Sequence, residues 1–225
     1  MKLTPTKILI ALFLIFIVAS GMSLAADNKL NIIVFGAHPD DPEKLDGIML
    51  KFIQHGHNVC LVSLTNGNAG HHEMGGGPLA QRRYKEARCA EDVIGAEYIV
   101  CDVDDGKLMP PMENREMIIR LIREWNADIV ISHRPNDYHP DHRNTGLLVR
   151  DAAYMVTVPN IVPNTPHLRK NPVFKYSPDR FPVPTPFIPD IVVAVDDVMK
   201  EKIDMYHCHT SQMYEWLPYN QGGLG

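Results

Sequence analysis

The sequence predicts an α/β fold, a mostly parallel sheet with helices on both faces in three layers. Three observations carry this. Strand-length apolar runs recur near 31–37, 58–64, 97–101 and 128–133, with the unbroken apolar character of strands covered on both sides. Stretches with apolar residues at helical spacing lie between them. Two of the runs stop at histidine–aspartate clusters, and in an open α/β sheet such groups belong in the crevice beyond the carboxyl ends of the strands.

Taken in order, Ile32 to Phe35 reads as a buried strand that stops at Gly36 and Ala37 and gives way to His38, Asp40 and Asp41. A helix follows from Glu43 to about Gln54, with Leu45, Ile48, Met49 and Phe52 on one face, and Gly56 ends it. Asn58 to Leu64 is the second strand, and 65–78 a glycine-rich loop carrying His71, His72 and Glu73. A helix from Leu79 to about Ile94 is closed by Gly95. Glu97 to Cys101 is the third strand, and the acidic loop Asp102 to Gly106 follows it. The next helix spans Met112 to Trp125, the fourth strand 128–133, and a further helix runs from about Asp141 to Met155 behind the cluster His139-Pro-Asp-His142. Nine of the 18 prolines fall within 159–189, which disfavours helix and central strand and reads as an extended surface excursion. Ile191 to Val195 reads as a returning strand and Val198 to about His209 as the last helix.

At 225 residues the chain suits one main domain, here 27–225, behind a leader. In the leader, Lys2 and Lys7 precede an apolar run from Ile8 to Val18, and Ser23-Leu24-Ala25 places small residues before a cut after Ala25. That is the layout of a secretory signal peptide. The run is short of the roughly 20 residues a membrane span needs, so an exported chain (periplasmic or secreted) without a stable membrane anchor is expected. The ending Asn220 to Gly225 reads as an unfinished terminus. A net charge of −5 with no basic stripe argues against nucleic acid as a partner. Neither GxGxxG nor GxxxxGK[ST] occurs, so a nucleotide cofactor is unsupported. Four cysteines without CxxC spacing are too few for a disulfide framework; Cys60 and Cys101, in strand-like runs, read as buried thiols.

The two clusters read as halves of one metal site. A hydrolytic zinc ion takes three protein ligands and keeps a position for water, and His38, Asp41 and His142 supply that set. The bound water is acidified, and Asp40, beside a ligand but not itself one, is placed to take its proton as general base. His139, as an imidazolium oriented by Asp141, is placed to stabilise a developing oxyanion. Two histidines and a carboxylate also suit non-haem iron oxygenases, but the alternating pattern does not suggest their β-barrel setting; iron(II) in a hydrolytic site remains an option beside zinc. A structural metal is disfavoured because closed structural zinc sites use four ligands.

Ala37-His-Pro-Asp-Asp-Pro-Glu43 together with His139-Pro-Asp-His142 resembles the PIG-L/LmbE-like zinc deacetylases, which remove acetyl from N-acetylglucosamine-containing compounds. Supporting matches are Thr65 to Gly70, Arg83 to Ala87, Asp105-Gly106 and His209-Thr-Ser-Gln212. The resemblance implies a Rossmann-like fold, zinc on His38, Asp41 and His142, Asp40 as base, and His139 stabilising the oxyanion or protonating the amine. It also implies that Arg83 and Asp105 hold sugar hydroxyls; read alone, they are a surface helix charge and a turn residue. Glu43 matches the motif's last acid or simply sits in a first helical turn. The expectation is an exported zinc N-deacetylase acting on an N-acetylated amino sugar or glycoconjugate. An amidase for a non-sugar amide and a carbohydrate-binding protein with a vestigial site are the alternatives; oligomeric state is left open.

Overall fold

The computed structural model describes residues 29–222, so the leader and its expected cut lie outside the described residues. Five strands form one sheet: β1 Asn31–Gly36, β2 Asn58–Thr65, β3 Glu97–Val103, β4 Ile129–Ser132 and β5 Val173–Tyr176. Their spatial order is β3-β2-β1-β4-β5 and every pairing is parallel, with Ile33 opposite both Cys60 and Val130. The helices are α1 Asp46–Gln54, α2 Gly76–Ile94, α3 Met112–Glu124, α4 Pro140–Met155, α5 Met199–Cys208 and the short α6 Leu217–Asn220. A 3-10 turn, Pro42–Leu45, leads into α1.

The alternation of side chains along each strand divides the interior into two cores. Ile33, Phe35, Cys60, Val62 and Val130 meet Ile118, Ile119 and Ile122 of α3 and Leu148, Val149 and Ala152 of α4. Ile32, Val34, Leu61 and Ile131 face the other way, onto Met49 and Leu50 of α1, Ala87, Ala90 and Ile94 of α2, and Met205 of α5. The central strands β1, β2 and β4 lack a polar face because both of their faces are covered, as their unbroken apolar runs predict. Ile32 and Ile33 are both fully buried, and each such side chain stabilises the fold by roughly 1.5–3 kcal/mol.

The chain runs outward from β1 through β2 to β3, then returns to lay β4 on the other side of β1. The carboxyl ends of β1 and β4 therefore flank a topological switch point, where open α/β sheets hold their ligands. Helix α4 is brought down on that point by Gly146: a Cβ there would lie 2.5 Å from the His133 carbonyl oxygen. Pro140, in the first turn of α4, suits the start of a helix because its missing N–H has no intrahelical partner to lose.

Two expectations need correction. The returning strand at Ile191 to Val195 does not form; the fifth strand is Val173–Tyr176, inside the proline-rich stretch. Prolines are tolerated there because β5 is an edge strand, and once it pairs with β4 that side of β4 is taken. Val195 instead packs against α1, where Gly47 leaves room for it. The cysteine reading also missed a bridge: Cys89 of α2 and Cys208 of α5 form a disulfide with Cα atoms 5.5 Å apart, across 119 residues of sequence. Cys60 and Cys101 are free. No described helix is long and apolar enough to cross a membrane.

Closing so long a loop should stabilise the fold by roughly 2–5 kcal/mol. Cys89→Ser and Cys208→Ser should each lower the urea midpoint by a corresponding amount, and reduction should lower the wild type to the same level. Equal midpoints for oxidised and reduced wild type would refute the bridge's contribution.

Candidate active site

The site is built on the loop after β1. That loop turns back at once, with the backbone N–H groups of Asp40 and Asp41 both donating to the His38 carbonyl. The turn brings Asp41 Oδ2 under the N–H groups of Ala37, at 3.1 Å, and His38, at 2.8 Å. Three imidazole nitrogens then face the same oxygen: His38 Nδ1 at 3.1 Å, His142 Nε2 at 3.2 Å and His133 Nε2 at 3.3 Å. Ligand atoms around a tetrahedral zinc, with bonds of about 2.0–2.1 Å, stand about 3.3 Å apart, so the spacing fits a small cation. The metal-compatible donor sets are Asp41/His133/His142, His38/His139/His142 and His38/Asp105/Asp141. Among the described residues no one of these sets holds the whole expected triad: His38 and His142 share one, Asp41 and His142 another, and Asp41 Oδ2 lies within 3.2 Å of a nitrogen of each histidine.

The electrostatics agree with a place for added positive charge. Burial works against a charge on Asp41, yet His142, Lys44 and His133 outweigh it and hold its carboxyl well below the usual range. Burial likewise disfavours the His38 cation, but Asp105, Asp141 and Asp41 raise its imidazole well above the ordinary value. His38 Nε2 is buried without an aligned hydrogen-bond partner, although Asp105 Oδ1 lies 3.1 Å away and Asp141 Oδ2 3.4 Å. Burial pushes His133 down to about 4, so it is a neutral imidazole. His142 is fixed from behind, its Nδ1 lying 3.0 Å from Asp137 Oδ1, the carboxylate–histidine arrangement that orients metal ligands.

His139 caps the start of α4, and its Nδ1 accepts the Asp141 backbone N–H at 3.2 Å. The Asp141 carboxylate does not orient it, contrary to expectation; it accepts instead from the backbone N–H groups of Gly106 and Leu108. Burial, together with the neighbouring His38 and His142, lowers the His139 imidazole. With Nδ1 accepting and no charge favoured, His139 offers an Nε2–H rather than an imidazolium.

Arg83 is neither a surface charge nor free to hold a sugar. It is 1% exposed, and its Nη2 donates to Asp40 Oδ1 at 2.5 Å and to the Pro39 carbonyl at 2.7 Å. Its helical position shows why: Arg83 shares the buried stripe of α2 with Leu79, Ala87, Ala90 and Ile94. Asp105 does reach the site, beside His38. Asn68 holds its loop by donating to Asp104 Oδ1 and accepting the Asp105 backbone N–H. Glu43 is fully buried and meets His209 Nε2 at 2.6 Å. Thr210 and Ser211 donate to Glu86 on α2, and Gln212 donates to the Gly70 carbonyl. His133 and Asp137 are site residues that the sequence reading does not name; a histidine ending a buried strand is the available signal for His133.

The model of the PIG-L family, described as GlcNAc-PI de-N-acetylase, matches residues 33–153, just over half of the 225. The chain belongs to the PIG-L family. Membership supports a metal-dependent hydrolase of the N-deacetylase class. A curated relative, the 4-oxalmesaconate hydratase of Pseudomonas putida, is 22% identical over 213 residues, covering 91% of this chain and 82% of the relative. Among solved structures, the N,N'-diacetylchitobiose deacetylase of Pyrococcus horikoshii superposes with a TM-score of 0.76 at 20% identity, over 98% of this chain and 85% of that one. The A40926 pseudoaglycone deacetylase gives 0.62 at 20% identity, over 83% and 84%. These likenesses support the fold of a PIG-L enzyme around the site.

Arg83→Lys keeps the charge but replaces the planar guanidinium whose Nη2 serves both the Asp40 carboxylate and the Pro39 carbonyl. The variant should retain its metal content while kcat falls about 10–100-fold, the effect of misplacing a reacting group. An unchanged kcat would show that Arg83 does not position Asp40.

Proposed function

We propose that the protein is an exported, zinc-dependent N-deacetylase acting on an N-acetylated amino sugar or glycoconjugate. The observation that carries the reading is the convergence of Asp40, Asp41, His38, His139 and His142 at the switch point of a PIG-L chain. Zinc, or iron(II), would be held by His38, Asp41 and His142, with His133 stacked flat on His142 at 4.1 Å as a further candidate donor. When bound, such a cation acidifies a water molecule and polarises the amide carbonyl. Asp40 is anchored through Oδ1 by Arg83, which leaves Oδ2 to take the water's proton and pass it toward the leaving amine. The His139 Nε2–H donates to the carbonyl oxygen as charge builds on it. Asp105, whose Oδ1 lies 3.1 Å from His38 Nε2, suits a sugar hydroxyl.

Export is supported by the signal-like leader and by the Cys89–Cys208 bridge, since disulfides persist mainly in oxidising compartments. Secreted material should begin at Ala26; an intact N-terminus inside the cell would overturn export.

The enzymatic reading is tested with metal-loaded protein and N-acetylglucosamine compounds. About one metal per chain and chelator-sensitive acetate release are expected. Asp40→Asn should lose about 10²–10⁴-fold in kcat while keeping its metal. Acetate release that survives in Asp40→Asn would remove the general-base role. Metal binding without acetate from any N-acetylated sugar would favour an amidase for non-sugar amides.

A further inference from the structure

After α5 the chain does not continue as an ordinary helix. Ser211–Trp216 is π-helical, a wide turn often found at functional sites. Its side chains lock onto the loop after β2. Gln212 Nε2 donates to the Gly70 carbonyl at 2.9 Å. Glu215 lies 2.7 Å from His71 Nε2 and accepts both terminal nitrogens of Arg82. These contacts set Trp216 against Gly70. A methyl carbon built on Gly70 would lie 3.2 Å from Asp105 Oδ2, 3.8 Å from Gln212 Oε1 and 3.9 Å from Trp216 Nε1.

The space over Gly70 is therefore a small niche with two oxygen acceptors and one indole donor. Asp105 approaches His38 through Oδ1, which leaves Oδ2 to the niche. Gln212 spends its amide nitrogen on Gly70, which leaves its oxygen to the same space. An indole N–H only donates, a carboxylate only accepts, and a hydroxyl does both. A hydroxyl is thus the group whose pattern the niche completes. Trp216 continues into a row of rings: Trp216 and Tyr219 stack with centroids 6.1 Å apart, and Tyr219 and His72 at 4.1 Å.

We propose that Trp216 is a specificity-determining residue whose N–H, with Asp105 and Gln212, binds a ring hydroxyl of a pyranose substrate. The inference rests on the amino-sugar reading above and adds to it the residue that would tell a sugar from a plain amide.

The test compares wild type with Trp216→Phe, which keeps a ring and removes the N–H, on N-acetylglucosamine and on N-butylacetamide, which has no hydroxyl. The ratio of kcat/KM for the sugar to that for the plain amide should fall about 3–10-fold, the weight of one hydrogen bond, with the change carried by KM for the sugar. An unchanged ratio overturns the assignment. Indole fluorescence separates this failure from failure of the deacetylase reading. The chain has two tryptophans, and the other, Trp125, donates to the Ile32 carbonyl at the opposite end of β1. N-acetylglucosamine should change the emission of metal-loaded wild type and leave that of Trp216→Phe unchanged. That response without acetate release keeps the subsite and removes the deacetylase; acetate release without the response does the reverse.

Discussion

The Asp41 carboxylate is the fixed point from which the site is assembled. Its Oδ2 is seized by the N–H groups of Ala37 and His38 in its own loop, so its position follows from local backbone geometry. The imidazoles of His38, His142 and His133 are then brought to it by three separate stretches of chain. Their convergence needs the switch point: only where β4 returns beside β1 does the end of one strand face the helix that follows the other. Gly146 completes this, since any larger residue would hold α4 away from the end of β4.

Behind this front lies a layer of buried charge. Arg83 meets Asp40, His209 meets Glu43, and Glu86 accepts from Thr210 and Ser211. Burying such groups costs several kcal/mol each unless every one finds a partner, so the layer is a poor source of net stability. What it supplies is placement, because each pair has few geometries that leave no charge stranded. The burden then falls on the apolar cores on either side of the sheet and on the Cys89–Cys208 bridge, which fastens α2 to α5 next to His209.

Much of this was legible in the sequence because it is written in local patterns. Unbroken apolar runs gave the covered strands, and helical spacing gave α1 to α4 to within a few residues. The histidine–aspartate clusters, falling directly after two such runs, gave the site's location. What stayed hidden depends on partners distant in sequence. A cysteine does not name its partner, so the bridge across 119 residues was invisible. Val173–Tyr176 and Ile191 to Val195 are both plausible strands; which one pairs is settled by the single free edge beside β4. Arg83 was misjudged for another reason. Its place on the buried stripe of α2 was readable, but an arginine there makes sense only once Asp40 is known to lie opposite.

The C-terminal segment shows how a supporting motif acquires a physical meaning. In the sequence His209 to Gln212 is a short polar stretch with no evident chemistry. In the fold the four residues satisfy three groups: His209 meets Glu43, Thr210 and Ser211 both donate to Glu86, and Gln212 donates to the Gly70 carbonyl. A regular α-helical turn directs four consecutive residues around the whole axis at about 100° intervals. Here helix α5 ends and a π turn begins within this stretch, and that break redirects them toward α2, the loop after β1 and the loop after β2 together. The irregularity is therefore what lets one segment bind three elements, and it carries Trp216 to the edge of the site.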